Sequence, residues 1–129
     1  MVKIILHGCG GRMGRMIAEL GKTQDQMIIV AGIDHCNCNG VHFPVYQSLE
    51  ECQEEGDVVI DFSTAAAIPK LMQDCVAKKL PLVLCTTGIS EEGMKLVQDA
   101  ALEIPILRSA NMSLGINVLM QASDGSIYA

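Results

Sequence analysis

The sequence contains no tryptophan, and only two tyrosines and two phenylalanines. It also has no apolar run near the ~20 residues that a membrane-spanning helix needs. Basic residues are in deficit: 9 lysines and arginines stand against 15 acidic residues, for a formal net charge of −6. Proteins that follow a nucleic-acid backbone normally carry net positive charge, so this balance disfavours nucleic-acid partners.

Half of the 129 residues are hydrophobic, and the large ones are mainly aliphatic. Such a composition suits one domain built on a parallel sheet covered by helices. Residues 2–7 contain one lysine and a short apolar run, and glycines and Arg12 follow at once, which is typical of a first strand and not of a signal peptide. Since no other feature indicates secretion, we expect the six cysteines to be reduced and the protein to be cytoplasmic.

Strand-like and helix-like segments alternate along the chain. This alternation predicts an α/β fold: a single domain with a Rossmann-like, doubly wound parallel sheet in three αβα layers. Ser48 with Glu51 predicts a capping box, and Ser90 predicts a helix cap. Strands are predicted over 2–7, 27–34, 57–62, 81–87 and 104–109, and helices over 11–22, 48–56, 68–79, 90–103 and, for its first turns, 113–121.

The order of these five strands in the sheet is expected to be 3-2-1-4-5, in chain numbering. Residues 35–47 show no period and are predicted to be irregular. A ligand is then expected at the carboxyl ends of the strands, near the switch point between the first and fourth strands.

A glycine-rich loop lies between the first strand and the first helix. The best-known dinucleotide fingerprint, G-x-G-x-x-G, would need glycine where Met13 stands, whereas Gly8, Gly11 and Gly14 fit G-x-x-G-x-x-G. Glycines let the backbone turn tightly, and a helix N-terminus attracts an anion such as a pyrophosphate. Asp34, 20 residues after Gly14, is placed to accept hydrogen bonds from adenosine ribose hydroxyls.

The preference between NADH and NADPH stays open. Asp34 favours NAD because its charge repels a 2′-phosphate. Arg12, and more weakly His35, could instead bind that phosphate. Arg15 is better interpreted as a solvated surface charge.

Polar turns follow the three later strands: DFSTA at 61–65, CTTG at 85–88 and SANMS at 109–113. On one sheet edge they would line a continuous groove starting at the glycine loop. Together with GCGGRMGR at 8–15 and SANMSLGINV at 109–118, they resemble dihydrodipicolinate reductase (4-hydroxy-tetrahydrodipicolinate reductase) of bacterial lysine, or diaminopimelate, biosynthesis. The resemblance runs from about Val2 to Val118.

The resemblance implies an oxidoreductase that uses NADH or NADPH, with three groups of contacts. The glycine loop would hold the pyrophosphate, Asp34 and His35 the adenosine ribose and its phosphate, and the last two turns the nicotinamide ribose and carboxamide, with Phe62 and Ser63 nearby. Cys85 departs from the family's usual glycine, and His35 from its frequent arginine. The implied cofactor-binding residues are Gly8, Cys9, Gly10, Gly11, Arg12, Met13, Asp34, His35, Cys85, Thr86, Thr87, Ser109, Ala110, Asn111 and Met112.

Members of this family continue into a second domain that binds the substrate and builds a tetramer. By the same resemblance, residues 1–121 form the dinucleotide-binding domain, residues 122–129 do not match the family, and the substrate and tetramerisation domain is absent. No catalytic residue is assigned here. We therefore expect a chain that binds the cofactor without turnover, whose full-length form is a homotetramer acting on a small cyclic dicarboxylate.

Other interpretations of the sequence remain. The chain could be the N-terminal domain of another small NAD(P)-dependent dehydrogenase, or a regulatory or redox-sensing nucleotide module without catalysis. Residues 34–38 with His42 offer cysteine and histidine ligands, but zinc sites usually pair two such clusters, so no metal site is expected. Cys9 beside His7 could form a nucleophile with its base, although a strand end followed by a loop explains both residues.

Overall fold

The computed structural model describes residues 2–22, 27–35 and 41–108, with only the backbone described at positions 12, 13, 21 and 22. Within these ranges the strands are β1 Val2–His7, β2 Met27–Ile33, β3 Val45–Tyr46, β4 Val58–Asp61, β5 Leu82–Leu84 and β6 Ile106–Arg108. The helices are α1 Arg12–Lys22, α2 Ile68–Lys78 and α3 Glu91–Ala101, with two 3₁₀ turns at Leu49–Glu51 and Ala65–Ala67. No helix among the described residues is both long and apolar enough to cross a bilayer.

All described strands are parallel and form one sheet in the order β3-β2-β1-β4-β5-β6. The fold class is confirmed, but the predicted order of the five strands was wrong: the segment 57–62 lies beside β1, not outside β2. The outer position belongs to β3, which was predicted to be irregular. A strand of two residues is too short to show a period in the sequence. β3 forms because Gly32 and Asp34 donate their amide hydrogens to the backbone carbonyls of Pro44 and Tyr46.

Two separate apolar clusters cover the two faces of the sheet, because successive side chains of a strand point to opposite faces. On one face Ile5 and Leu84 pack with residues of α2 and α3. On the other, Ile4 and Leu6 pack with Ile17 of α1. The predicted three-layer αβα architecture is therefore confirmed.

Of the two helix caps predicted from the sequence, one forms and one does not. Ser90 caps α3, where its hydroxyl accepts the Gly93 amide hydrogen at 3.1 Å. Pro69 lies in the first turn of α2, where a missing amide hydrogen does no harm. The predicted capping box at Ser48 was wrong, since the Ser48 side chain makes no capping hydrogen bond and only one 3₁₀ turn follows.

The failure of that acidic helix has a tertiary cause. Leu49 and Cys52 are buried in the core, and the chain becomes extended at Cys52. Lys78 donates a hydrogen bond to the Cys52 carbonyl at 3.1 Å and holds the segment there. The predicted helix at 113–121 lies outside the described residues.

Candidate functional site

The glycine loop joins β1 to α1, and two of its glycines are required by the fold itself. Gly8 has a φ of +85° and donates its amide hydrogen to Ile33 at 2.7 Å. A Cβ on Gly8 would lie 2.8 Å from the backbone of Phe62, and one on Gly14 would lie 2.3 Å from the Gly8 carbonyl oxygen. These contacts bring the loop, β4 and α1 closer together than any side chain allows.

Gly11 has no such internal reason to be glycine. Its φ lies outside the left-handed region, and the nearest atom to an added Cβ is the Gly8 carbonyl oxygen at 3.6 Å, an ordinary contact. The residue is exposed and lines a cavity. What glycine provides here is a bare backbone surface at the start of α1, where the first amide hydrogens have no acceptor within the helix.

The cavity has a volume of about 490 Å³ and lies at the switch point between β1 and β4. This size is typical of small-molecule and cofactor sites. Its walls come from the glycine loop, the end of β2, the turn before Leu49, the loop after β4 and the first turns of α2. The lining residues are His7, Gly8, Gly11, Ile33, Asp34, His35, Gln47, Ser48, Leu49, Phe62, Ser63, Thr64, Ala66, Ala67, Lys70 and Asp74.

Asp34 follows β2 directly and is tied to the glycine loop. Its Oδ2 accepts the Gly10 amide hydrogen at 2.7 Å. This bond fixes the carboxylate at the wall of the cavity beside His35, which is exposed. One end of the cavity is therefore acidic, as the sequence predicts from the position of Asp34.

A second carboxylate, Asp61, lies on the other side of the switch point and is fully buried. It accepts hydrogen bonds from His7 Nδ1 at 2.9 Å and from the Thr86 hydroxyl at 2.6 Å. The amide and the hydroxyl of Ser63 donate to it as well. Four donors from the ends of β1, β4 and β5 thus converge on one side chain.

This environment decides the charge of Asp61. Burial by itself raises the pKa of a carboxyl group, but the hydrogen bonds from His7, Ser63 and Thr86 outweigh it and hold the pKa of Asp61 below its usual value. Asp61 is therefore ionised near neutral pH.

The pKa values of the nearby thiols shift in the opposite direction, upward. Burial first, and then the charge of Asp61, raise the pKa of Cys85 to about 11. The same two causes, together with the charge of Asp74, raise the pKa of Cys75 to about 12. Both thiols stay protonated, so neither has the thiolate character of a nucleophile.

The residues predicted from the sequence are placed in different ways. Gly8, Gly11, Asp34 and His35 line the cavity. Cys9 is fully buried, and its Sγ occupies the space that a Cβ on residue 32 would need, so only its backbone can face a ligand.

In the later turns, Cys85 and Thr86 are buried and Thr87 is exposed. Ser109, Ala110, Asn111 and Met112 lie outside the described residues, as do the side chains of Arg12 and Met13. Arg15 is exposed, in line with a solvated charge.

Sequence reasoning missed the role of His7 and Asp61. His7 was interpreted as a strand end, and Asp61 as part of a polar turn. The available signal was the carboxylate that ends the apolar run VVID, because a charged residue is rarely buried without partners.

No group of three or more histidine, cysteine or acidic side chains within the described ranges is arranged to hold a metal ion. Cys36 and Cys38 of the candidate metal cluster lie outside those ranges. Among the described cysteines, Cys52, Cys75 and Cys85 are free thiols.

Comparison with known proteins gives concordant results. The 4-hydroxy-tetrahydrodipicolinate reductase of Caldanaerobacter subterraneus subsp. tengcongensis is 52% identical over 120 residues, which are 93% of this chain and 47% of that protein. The enzyme of the same name from Clostridium tetani is 46% identical over 119 residues, covering 92% of this chain and 47% of that protein. The chain thus spans about half the length of the curated relatives it matches.

Solved structures share the fold. The dipicolinate-bound dihydrodipicolinate reductase from Paenisporosarcina sp. TG-14 aligns with a TM-score of 0.77 at 21% identity, over 95% of this chain and 52% of that one. An oxidoreductase from Agrobacterium radiobacter in complex with NAD⁺, L-tartaric acid and magnesium aligns with a TM-score of 0.63 at 15% identity, over 94% of this chain and 40% of that one.

The family assignment comes from the sequence match. The model of the family described as dihydrodipicolinate reductase, N-terminus, matches residues 2–112, which include the glycine loop, Asp34 and Asp61. This chain is therefore a member of the dihydrodipicolinate reductase N-terminal family.

Proposed function

We propose that this chain is the NAD(P)H-binding part of a reductase that transfers a hydride to a cyclic dihydrodipicolinate-type substrate in lysine, or diaminopimelate, biosynthesis. The observation that carries the proposal is the cavity at the switch point, where the bare backbone at Gly11 and the carboxylate of Asp34 meet in a member of this family. In open α/β sheets, this is the position where dinucleotides bind.

The residues present fit a dinucleotide. The open surface at Gly11 and the start of α1 suit a pyrophosphate, because amide hydrogens and the helix dipole both favour an anion there. Asp34 is oriented by the Gly10 amide and would accept hydrogen bonds from ribose hydroxyls. These two contacts define the adenosine and phosphate half of the proposed site.

The nicotinamide half is proposed to lie across β4 and β5, next to the loops that Asp61 joins. Bound there, the cofactor would supply the hydride for reduction. The chain's own part would be to hold the nicotinamide ribose and carboxamide through Cys85, Thr86 and Thr87, with the segment 109–112 completing this end. The Cys85 thiol is buried and protonated, so it brings no charge to this end of the site.

We propose that both NADH and NADPH bind, with NADH preferred. Asp34 repels a 2′-phosphate, which favours NADH. His35 lines the same cavity and is exposed, so a ring N–H of its imidazole would be able to donate a hydrogen bond to that phosphate.

The wider proposal concerns the complete reductase. Residues 1–121 form its dinucleotide-binding domain, and a second domain supplies the groups that hold a small dicarboxylate substrate and build a homotetramer in the cytoplasm. Hydride transfer needs both reactants in near-attack geometry. The 129-residue chain on its own is therefore expected to bind the cofactor without turnover.

Calorimetric titration of the purified chain with NADH and NADPH, beside a reductase assay, tests the proposal. We expect saturable binding of both cofactors and no substrate-dependent oxidation of NADH. Asp34→Asn is a suitable variant to compare with the unmodified chain, since it keeps the shape of the Asp34 side chain and removes its charge. Absence of heat and of thermal protection with both cofactors, in correctly folded protein, would disprove cofactor binding, and measurable turnover would disprove the need for a second domain.

A further inference from the structure

The ends of β1, β4 and β5 meet at Asp61. Its Cα is paired with His7 in β1 and with Leu84 in β5. The ladder continues past the strands, because Phe62 donates its amide hydrogen to His7 and Cys85 donates to Asp61, both at 2.9 Å. Asp61 is thus the last residue of β4, and it is paired with both neighbouring strands at the edge where the cavity lies.

The Asp61 side chain joins the loops that leave these strands. Oδ1 accepts His7 Nδ1 at 2.9 Å and the Ser63 amide hydrogen at 3.0 Å, with the Ser63 hydroxyl as a third donor. Oδ2 accepts the Thr86 hydroxyl at 2.6 Å. An ionised carboxylate only accepts hydrogen bonds, so His7 Nδ1 carries a proton and every contact points toward Asp61.

These contacts reach the cavity wall, although Asp61 itself does not line it. His7, Phe62 and Ser63 are lining residues, and the backbone of Phe62 and Ser63 lies against Gly8. A shift of Ser63 away from Gly8 would therefore widen the cavity on its β4 side, while the Gly8 amide stays bonded to Ile33. Charge-assisted hydrogen bonds to a buried carboxylate resist such a shift.

The adenosine side of the switch point is held by a different carboxylate. Asp34 fixes the loop there through the Gly10 amide hydrogen and lies after β2. Asp34 thus supports the groove from the β2 side of β1, and Asp61 supports it from the β4 side.

Resting on the proposed function, we propose that Asp61 is a positioning residue for the nicotinamide ring of the dinucleotide. It acts by holding the loops after β1, β4 and β5 and does not touch the ligand. The adenosine half depends on Asp34 instead. Loss of the Asp61 charge should therefore weaken binding of a ligand that has the nicotinamide and spare one that lacks it.

The test compares NADH with ADP-ribose, which lacks the nicotinamide ring, by calorimetry on the 129-residue chain and on Asp61→Asn. The variant has the same shape, and the Thr86 hydroxyl can rotate to accept from the new amide, so we expect it to fold. NADH should bind about tenfold more weakly, because the positioning hydrogen bonds lose their charge. ADP-ribose affinity should stay within about twofold of the unmodified chain, as expected for sites that do not couple.

A second pair of variants carries the test if Asp61→Asn does not fold. His7→Asn keeps a donor near the position of Nδ1, whereas His7→Leu removes it. We expect His7→Leu to weaken NADH binding about threefold more than ADP-ribose binding. In His7→Asn, most of the lost NADH affinity should be recovered.

Four results would count against the inference. Unchanged NADH affinity in Asp61→Asn, or an equal loss for NADH and ADP-ribose, would overturn it and leave the proposed function intact. Identical behaviour of the two His7 variants would overturn it as well. If the unmodified chain binds neither ligand, the proposed function fails and this inference fails with it.

Discussion

Gly11→Ala is expected to separate ligand binding from folding. An alanine Cβ at this position meets only the Gly8 carbonyl oxygen at 3.6 Å, and the backbone there needs no left-handed conformation. The added methyl group would stand on the surface that lines the cavity. The substitution should therefore leave the folded chain intact and obstruct the proposed pyrophosphate site.

The size of each effect follows from the local geometry. Gly11 accepts the Arg15 amide hydrogen at 3.0 Å and so precedes the first residue of α1, a position where alanine is less favourable than glycine. Reduced freedom of the unfolded chain offsets this loss, so the free energy of unfolding should change by less than about 1 kcal/mol. Losing one charge-assisted hydrogen bond to the pyrophosphate costs about 1.5–3 kcal/mol, or about ten- to a hundredfold in Kd.

Urea unfolding and calorimetric titration with NADH measure the two quantities on the same preparation. Gly14→Ala is the matched control, because its Cβ would lie 2.3 Å from the Gly8 carbonyl oxygen and 2.7 Å from the Cα of Cys9. Both neighbours are backbone atoms, so the loop and α1 must move apart. We expect Gly14→Ala to lower the free energy of unfolding by about 1–3 kcal/mol.

Two outcomes would refute this reasoning. NADH affinity in Gly11→Ala equal to that of the unmodified chain would mean that the ligand does not approach the loop at this residue. A large loss of stability in Gly11→Ala, comparable to that of Gly14→Ala, would mean that Gly11 is glycine because the fold requires it.

Three further outcomes are expected. The pKa of Asp61 is lower in the folded than in the unfolded state. The contribution of Asp61 to stability is therefore complete above about pH 4 and is lost as the pH falls through the folded-state pKa. Urea unfolding should show that the unmodified chain loses its stability advantage over Asp61→Asn as the pH is lowered. With pKa values of about 11 and about 12, Cys85 and Cys75 should resist iodoacetamide at pH 8 in the folded protein and react fully in urea, as followed by mass spectrometry. Asp34→Asn should reduce the preference for NADH over NADPH in competition titrations, because the charge that repels the 2′-phosphate is gone; an unchanged ratio would contradict that role.

Much of the fold is readable in the sequence where the pattern is long and local. The apolar runs that became β1 and β2, Pro69 in the first turn of α2 and the Ser90 cap of α3 are all determined by neighbours in the chain. The prediction failed where the deciding contacts are distant. β3 is a two-residue strand made by pairing with β2, and the acidic segment after Ser48 is held by burial of Leu49 and not by a helical period.

The candidate site shows the same division. The sequence alone determined that glycines and an acidic residue follow the first two strands, because spacing and residue type are properties of the chain itself. Only the tertiary structure decided that Gly14 is required by the Gly8 carbonyl while Gly11 lies open to the cavity. It also decided that Asp61, 54 residues from His7, collects donors from three strand ends, since parallel pairing brings together residues that the chain keeps far apart.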